Sequence, residues 1–381
     1  MKIAILKERR DGETRVAASP DTVKKYKAMG LEVAIETGAG LAAGVTDTMF
    51  EAAGAVIAPD FTAALAGASL VYKVRRPTAE ELAAIPKGAM IAALLAPYAD
   101  RAAIESYAKA GVDALAMEFI PRITRAQAMD ALSSQANLAG FRAVIEGAAI
   151  YGRSFPMMMT AAGTVAAAKT FIMGVGVAGL QAIATARRLG GVVTATDVRP
   201  ATKEQVLSLG AKFIAVENEE FKQAETSGGY AKEMSKDYQA KQAALVAEHI
   251  AKQDIVITTA LIPGRPAPVL VSEEMVKTMK PGSVIIDLAV EQGGNCPLSK
   301  PDQVVEAYGV KIAGFTNLPG RIAADASALY AKNLLNLTPL LVSKDGAFAP
   351  NHDDEILKAA ILTRSGAVVH PNFAPAGGQA A

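Results

Sequence analysis

The stretch Gly174-Val175-Gly176-Val177-Ala178-Gly179 gives the strongest indication of the fold in this sequence. It follows a strand pattern over residues 171–173 and opens a helix pattern, and a second strand pattern ends at Asp197, 18 residues beyond the last glycine. Three glycines and a later acidic residue at this spacing, within a strand–turn–helix–strand unit, form the dinucleotide-binding fingerprint. The stretch therefore predicts a Rossmann-like unit that binds a nucleotide.

Each glycine of this stretch, here called the glycine turn (residues 174–179), has its own physical purpose. Gly174 permits the tight turn, Gly176 lets the backbone approach a pyrophosphate, and Gly179 lets the helix pack closely on the strand. The helix that begins near Val177 supplies N–H donors and a partial positive charge for the phosphates. We therefore expect a pyrophosphate at this turn.

The end of the second strand predicts which dinucleotide binds. Asp197 is placed to accept hydrogen bonds from an adenosine ribose and would repel the 2′-phosphate of NADP(H), so NAD(H) is expected. Arg199 leaves three alternatives open, because it could accommodate that phosphate, pair with Asp197 or face solvent. The alternative to NAD(H) binding is a glycine turn without a ligand.

The rest of the chain repeats the same alternation of strands and helices. Residues 1–120 alternate short apolar strands with capped helices, as in Ser19-Pro20 and Thr78-Ala79-Glu80-Glu81. A long helix pattern covers residues 128–151, and the alternation resumes at Thr170. The pattern predicts an α/β protein of two doubly wound Rossmann-like domains with mostly parallel sheets, joined by long helices.

Composition excludes several classes of protein. The 381 residues carry 39 Lys+Arg against 38 Asp+Glu, so no basic field would gather nucleic acid. Hydrophobic residues make up 51%, which is typical of a globular chain. A single cysteine, Cys296, and three scattered histidines exclude an internal disulfide and make us expect no metal site.

Membrane insertion and secretion are likewise not expected. The longest uncharged apolar stretch, residues 170–186, contains three glycines and is shorter than the roughly 20 residues that span a bilayer. The first ten residues lack the apolar stretch of a signal peptide. The sequence therefore predicts a cytoplasmic chain.

A second polar constellation, here called the polar loop (residues 121–134), reads Pro-Arg-Ile-Thr-Arg-Ala-Gln-Ala-Met-Asp-Ala-Leu-Ser-Ser. Its arginines, glutamine, aspartate and serines stand in an alanine-rich region and could orient a nicotinamide carboxamide and its ribose. Helix-start chemistry with surface ion pairs is the alternative.

Two further segments carry predictions of opposite kinds. Gly228-Gly229-Tyr230 lies inside a polar stretch over residues 217–242 that interrupts the alternation of strands and helices, and it indicates either a lid over a bound cofactor or a solvated loop. Met157-Met158-Met159 is interpreted as core filling rather than a thioether metal site.

With these segments in view, the chain resembles the NAD(H)-binding domain I, or soluble alpha subunit, of proton-translocating NAD(P) transhydrogenase, a family related to alanine dehydrogenase. The resemblance extends over nearly the whole chain, through Thr258-Thr259-Ala260-Leu261-Ile262-Pro263-Gly264 and Asp287-Leu288-Ala289. The polar loop resembles the Arg-Gln-Asp loop beside the nicotinamide, which alanine dehydrogenases lack. The stretch around Gly229 resembles the mobile loop that closes on bound nucleotide.

The resemblance implies a role for individual residues at both ends of the dinucleotide. On the nicotinamide side it implies the catalytic set Arg122, Gln127, Asp130 and Ser133, with Ile123, Thr124 and Arg125 in the same loop. On the adenosine and pyrophosphate side it implies Gly174, Gly176, Val177, Gly179, Asp197, Val198 and Arg199, joined by Gly229, Tyr230, Gln242 and Leu261.

The resemblance also implies an organisation and a set of partners. The first domain would comprise residues 1–133 and 322–381, and the NAD(H)-binding domain residues 134–321. The chain would form a homodimer. It would pass hydride from NADH to NADP⁺, because NADP(H) would be bound by a partner, the beta subunit. Proton translocation would run through a separate membrane-spanning component, which would attach this cytoplasmic chain peripherally to the inner membrane.

Departures from the two relatives leave two alternative functions open. Lys73 matches the substrate lysine of alanine dehydrogenase, but Leu94 stands where that enzyme has a histidine, so protonation of a keto acid lacks its acid. An alanine dehydrogenase-like oxidoreductase and a non-catalytic NAD-binding module remain the alternatives. Residues that depart from the transhydrogenase pattern are Ala128, Ala136, Phe315 and Gly320.

Overall fold

The computed structural model of the chain describes residues 1–222, 234–262 and 264–374. Within these ranges the strands are β1 Lys2–Ile5, β2 Glu32–Glu36, β3 Val56–Ala58, β4 Leu70–Arg75, β5 Met90–Leu94, β6 Asp113–Ala116, β7 Met158–Thr160, β8 Gly163–Val165, β9 Lys169–Met173, β10 Val192–Thr196, β11 Lys212–Phe213, β12 Ile255–Thr258, β13 Val284–Asp287, β14 Val304–Ala307, β15 Val310–Ala313, β16 Ile361–Arg364 and β17 Ala367–Val368.

The helices alternate with these strands. They are α1 Pro20–Ala28, α2 Asp47–Ala52, α3 Phe61–Leu65, α4 Ala79–Ala84, α5 Arg101–Ala110, α6 Ala131–Tyr151, α7 Val177–Arg188, α8 Thr202–Ser208, α9 Glu219–Lys222, α10 Lys236–Ile250, α11 Glu273–Thr278, α12 Ala323–Leu337 and α13 Glu355–Ala360. None of the helices in the described ranges is both long and apolar enough to cross a membrane.

The chain divides into two compact units. The first unit comprises Met1–Gln135 and Pro319–Ala381, and the second unit comprises Ala136–Leu318. Each unit has its own sheet and its own apolar cores on both faces of that sheet.

The sheet of the first unit has the order β17-β16-β6-β5-β4-β1-β2-β3. Its six strands β1 to β6 pair in parallel, whereas β16 pairs antiparallel with β6 and β17 antiparallel with β16. The chain runs from β1 outward to β3 and then returns to the other side of β1 with β4. The carboxyl ends of β1 and β4 therefore meet where the strand order reverses, which is where open α/β sheets bind ligands.

The sheet of the second unit has the order β11-β10-β9-β12-β13-β15-β14 and the same doubly wound logic. All its pairs are parallel except β14 with β15. Its strand order reverses between β9 and β12, so residues after Met173 and Thr258 meet at the ligand-binding edge. The predicted fold class, two doubly wound units with mostly parallel sheets, is confirmed.

The central strands β9, β12 and β13 of the second sheet are buried on both faces, as is typical of parallel strands covered by helices. Ile172, Ile255 and Ile257 belong to one apolar core, whereas Phe171 and Val256 belong to the core on the other face. Side chains of a strand alternate between faces, so one continuous apolar run supplies both cores.

The methionine triplet contradicts the prediction that it fills a core. β7 and β8 form a separate two-stranded antiparallel sheet, and Met157, Met158 and Met159 are exposed there, Met159 to 77%. Methionine favours cores because of its apolar volume, but a hairpin that lies outside both main sheets has no core to fill. The apolar run over residues 114–119 predicts one continuous strand, which is wrong, because β6 ends at Ala116 and a 3-10 turn follows.

Candidate functional site

Only glycine fits at two of the three glycine positions of the glycine turn. Gly174 has φ +101°, and a Cβ there would lie 2.6 Å from Thr259 Oγ1. A Cβ on Gly179 would lie 1.9 Å from the carbonyl oxygen of Gly174. A Cβ on Gly176, by contrast, would have no described residue other than its chain neighbours and the start of its own helix within 4 Å. The turn is closed inward at its ends and open at its centre, where a ligand can approach the backbone.

Helix α7 begins at this open centre. Its N-cap is Gly176, which has no side chain to cap the helix, so the first backbone N–H groups have no side-chain acceptor at the cap. Val177, the first helical residue, is partly exposed. An uncapped N-terminus of a twelve-residue helix favours an anion, because its N–H groups and its dipole both point outward.

Asp197, directly after β10, lies beside the glycine turn with its side chain only 7% exposed. Its Oδ2 accepts a hydrogen bond from the backbone N–H of Val175 at 2.7 Å, and its Oδ1 accepts one from the N–H of Arg199 at 2.9 Å. These two backbone bonds orient the carboxylate at the edge where the sheet binds ligands.

The guanidinium of Arg199 lies on the same carboxylate. Its Nε donates to Oδ1 of Asp197 at 2.9 Å, and its Nη2 donates to Oδ2 at 3.0 Å and to the carbonyl of Val175 at 3.2 Å. Of the three alternatives left open by the sequence, the structure shows the ion pair. Val198, between these two residues, is exposed.

The loop after β12 forms the other wall of the edge. The Thr259 hydroxyl donates to the carbonyl of Gly174 at 3.0 Å, and Leu261 and Ile262 are exposed on the same loop. Buried Asn295 holds the loop in place: its Nδ2 donates to the carbonyls of Ala260 and Pro268, and its Oδ1 accepts from Ala260 N–H. Sequence reasoning missed Asn295, although the preceding Gly293-Gly294 pair indicated a turn.

Gln242 of α10 supports this edge through two hydrogen bonds. Its Nε2 donates to Thr196 Oγ1 at 3.2 Å, and its Oε1 accepts from Val216 N–H at 2.8 Å. The side chain thereby ties the end of β10 to the segment after β11. Gly229 and Tyr230, the other two residues expected on this side, lie outside the described residues.

The polar loop belongs to the first unit and contains a 3-10 turn, Thr124–Met129. Asp130 directly precedes α6: its Oδ1 accepts from Ser133 N–H at 2.8 Å, and its Oδ2 accepts from the Ser133 hydroxyl at 2.6 Å. Arg125 forms a fork on Asp354, with both bonds at 2.8 Å. Three of the predicted residues thus perform the helix-start and ion-pair chemistry of the alternative interpretation.

The remaining polar-loop residues divide by exposure. Arg122, Thr124 and Gln127 are exposed, whereas Ile123 packs against the apolar core of the first unit. Buried Asn333 of α12, which sequence reasoning missed as a support, donates to the carbonyl of Ala128 at 2.9 Å and accepts from Ser134. The loop therefore presents Arg122 and Gln127 from a rigidly held backbone.

The reversal point of the first sheet is filled by acidic and basic side chains. Lys73, only 1% exposed, lies 3.1 Å from Glu81 and 3.6 Å from Glu8. Arg9 forms ion pairs with Glu81 and Glu36. Leu94, in place of a histidine, contributes apolar packing to the same unit. The one residue that matches the alanine dehydrogenase lysine is thus already held by two carboxylates.

Two carboxyls in this region have pKa values shifted in opposite directions. Burial raises the pKa of Glu8 to about 7, although the Lys73 ammonium acts to lower it. Burial would also raise the pKa of Glu13, but the hydrogen bonds and charge of Arg15, with Arg75, outweigh it and lower that pKa to about 2. Whether the pKa of a buried carboxyl rises or falls therefore depends on the neighbouring charges and not on burial alone.

Most residues that depart from the transhydrogenase pattern contribute to packing or to backbone hydrogen bonds. Phe315 packs in an apolar core of the second unit. The carbonyls of Ala128 and Gly320 accept hydrogen bonds from Asn333 and Thr14 respectively, which any residue at these positions could do.

Two family models match consecutive segments of the chain. The alanine dehydrogenase/PNT N-terminal domain matches residues 4–139, and the alanine dehydrogenase/PNT C-terminal domain matches residues 143–371.

Curated relatives extend over almost the full chain. An NAD(P) transhydrogenase subunit alpha polypeptide of Rhodospirillum rubrum is 59% identical over 97% of this chain and 98% of the relative. The corresponding protein of Rickettsia prowazekii is 46% identical over 97% and 96%. Alanine dehydrogenase of Bacillus subtilis is 30% identical over 97% and 93%.

Solved structures give the same order of similarity. Transhydrogenase from Sinorhizobium meliloti matches with a TM-score of 0.89 and 56% identity, over 97% of this chain and 100% of that structure. An L-alanine dehydrogenase matches with a TM-score of 0.81 and 26% identity, over 98% of both chains.

Proposed function

The chain belongs to the alanine dehydrogenase/PNT family, and on this premise we propose that it is the NAD(H)-binding alpha subunit of a proton-translocating NAD(P) transhydrogenase. Its close homologues are NAD(P) transhydrogenase alpha subunits, and alanine dehydrogenase is a more distant relative. The observation that carries the proposal is the glycine turn, open at Gly176 and adjacent to the oriented carboxylate of Asp197.

The residues at this edge fit NAD(H). The space beside Gly176 and the uncapped start of α7 suit a pyrophosphate, and Asp197 supplies acceptors for a ribose diol. Leu261 and Val198 offer exposed apolar surface to the adenosine. Gln242 acts through Thr196, by holding the end of β10. We also assign Gly229 and Tyr230 to nucleotide contact, on the resemblance alone.

For the nicotinamide end we propose the polar loop. Arg122 and Gln127 are exposed polar groups on a backbone that Asn333 holds, so they suit a positioning role. Asp130 and Ser133 fix the start of α6, and Arg125 ties the loop to Asp354. Ile123 anchors the loop in the core and Thr124 remains exposed beside it.

Bound NADH would supply a hydride, and we propose that this hydride passes directly to NADP⁺ on the beta subunit. Transfer between two nicotinamides needs no protein acid or base, so the chain's task is alignment. The contacts of Lys73 support this view over keto-acid chemistry, because Glu81 and Glu8 already engage its ammonium. We infer that the membrane-spanning component couples this transfer to protons and holds the cytoplasmic chain at the inner membrane.

We also propose a homodimer, and the methionine hairpin supports it. An isolated two-stranded sheet is marginal in water, and three consecutive methionines, Met158 and Met159 of β7 with the preceding Met157, are exposed here. Apolar surface of this kind is typical of an association site. A second copy of the chain is the occupant that we propose.

A stepwise assay tests the function. NADH is titrated into the isolated chain by fluorescence, then pyruvate and ammonium are added, and finally the NADP(H)-binding partner with NADP⁺. We expect binding, no oxidation with pyruvate, and hydride transfer only with the partner. Oxidation with pyruvate would identify an amino-acid dehydrogenase instead. Binding without transfer in the complete mixture would identify a non-catalytic module.

A further inference from the structure

The hydrogen bonds of Asp197 leave no acceptor position for a ribose. A carboxylate offers about four lone-pair positions. Here Val175 N–H and Arg199 N–H occupy two of them, and Nε and Nη2 of the Arg199 guanidinium occupy the other two. The vicinal hydroxyls of adenosine would need to donate to this same carboxylate.

Only the side-chain donors are able to leave. The Val175 and Arg199 amides belong to backbone fixed by the ends of β9 and β10, and their bonds hold the carboxylate in place. The Arg199 side chain is 33% exposed and reaches Asp197 through rotatable bonds. A diol that approaches from solvent therefore competes with the guanidinium for the carboxylate of Asp197. It must take both acceptor positions that the guanidinium occupies.

We propose that the Arg199 guanidinium is a displaceable cap on Asp197, which the adenosine ribose of NADH must push aside to bind. The inference rests on the proposed binding of NAD(H) at this edge and adds a specificity-determining function to Arg199. The cap keeps the carboxylate charge-compensated in the nucleotide-free chain, and its fork is lost when the diol binds.

The cap also affects discrimination between NADH and NADPH. A 2′-phosphate cannot donate a hydrogen bond to Asp197 and is repelled by its charge. A displaced guanidinium, two residues away along the chain, attracts that phosphate. Arg199 therefore lowers the affinity for NADH and raises the affinity for NADPH. Removing it should raise the affinity for NADH and lower the affinity for NADPH.

Arg199→Gln tests the cap with ligands that differ only in the diol. We expect this variant to bind NADH and ADP about fivefold more tightly than the wild-type chain, and to bind 2′,3′-dideoxy-ADP with unchanged affinity. NADPH should bind more weakly. Arg188→Gln, at the exposed end of α7, removes the same charge away from the site and should change none of these affinities.

Arg199→Lys separates the fork from the charge. Lysine keeps the cation but cannot form two parallel bonds, so this variant should tighten NADH binding and retain that of NADPH. If a thermal melt shows that Arg199→Gln is not folded, Arg199→Lys is the variant that tests the cap.

The possible results distinguish the cap from the proposed function. If the wild-type chain does not bind NADH, the proposed function fails. If it binds NADH but Arg199→Gln binds NADH equally or less tightly, the cap is overturned. An equal gain for ADP and 2′,3′-dideoxy-ADP would overturn it as well, because the gain would then not depend on the diol.

Discussion

Gly179 lies directly against Gly174: a Cβ at position 179 would be 1.9 Å from the Gly174 carbonyl oxygen. Two glycines five positions apart thereby let helix α7 start in contact with the strand that precedes it. The third glycine, Gly176, has no such neighbour in the part of the chain that the structure describes. The same motif therefore contains a folding requirement and a binding requirement, at different positions.

Alanine substitutions should separate these two requirements. Gly179→Ala is expected to lower the free energy of unfolding by roughly 3 kcal/mol, because the backbone must move to admit the methyl group. Gly176→Ala should stay within about 1 kcal/mol of the wild type, yet weaken NADH binding at least about tenfold. Urea unfolding and NADH fluorescence measure the two effects. Unchanged NADH affinity in Gly176→Ala would show that the pyrophosphate does not approach this position.

Gln127→Ala should slow hydride transfer more than it weakens binding. The side chain is exposed and makes no hydrogen bond within the described residues of the chain, so the fold should be unaffected. With the partner present, we expect a transfer rate about tenfold lower and an NADH affinity nearly unchanged, as for a positioning residue. Gln303→Ala, an exposed glutamine of the second unit, is the control. Equal losses in rate and affinity would indicate a binding role instead.

Glu8→Gln should stabilise the chain in a way that depends on pH. The unfolded carboxyl ionises near pH 4.5, but the folded one only near pH 7, so wild-type stability falls as pH rises between these values. The amide can still accept from Val74 N–H and carries no charge to bury. We expect a gain of up to about 3 kcal/mol at pH 8 and little gain at pH 4.

Glu13→Gln provides the comparison of opposite sign. Since the folded pKa of Glu13 is about 2, its ionised form stabilises the chain above pH 4.5, and this stabilisation is lost as pH falls towards 2. The substitution should therefore destabilise at neutral pH and have no effect near pH 2. Urea unfolding between pH 2 and pH 8 measures the free energy of unfolding of both variants. Equal effects of Glu8→Gln at pH 4 and pH 8 would contradict the raised pKa.

Met159→Lys should weaken the proposed homodimer. Placing a charge on the exposed hairpin raises the cost of burying it against a second copy. Sedimentation velocity should show a shift towards monomer, without a change in the melting temperature of the separated chain. Met49→Lys changes an equally apolar, exposed residue of α2 and should leave the association state unchanged. A wild-type chain that sediments as a monomer would refute the dimer itself.

Elements whose cause is local could be predicted from the sequence alone. Strand β10 and the starts of α1 and α4 lie where the sequence predicts them, because apolar runs, N-caps and turn residues act over a few positions. The antiparallel strands β14, β16 and β17 were not predicted. Their pairing depends on partners elsewhere in the sheet, about which a short window of sequence carries no information.

How the side chains of the site are used depends on the three-dimensional packing. The spacing of residues placed Asp197 beside the glycine turn, but only the fold shows that Val175 and Arg199 saturate its carboxylate. Likewise Lys73 meets Glu8 from a distant segment of the chain. Hydrogen bonds and ion pairs require atoms within about 3 to 4 Å, and for such pairs that distance is set by packing and not by separation along the sequence.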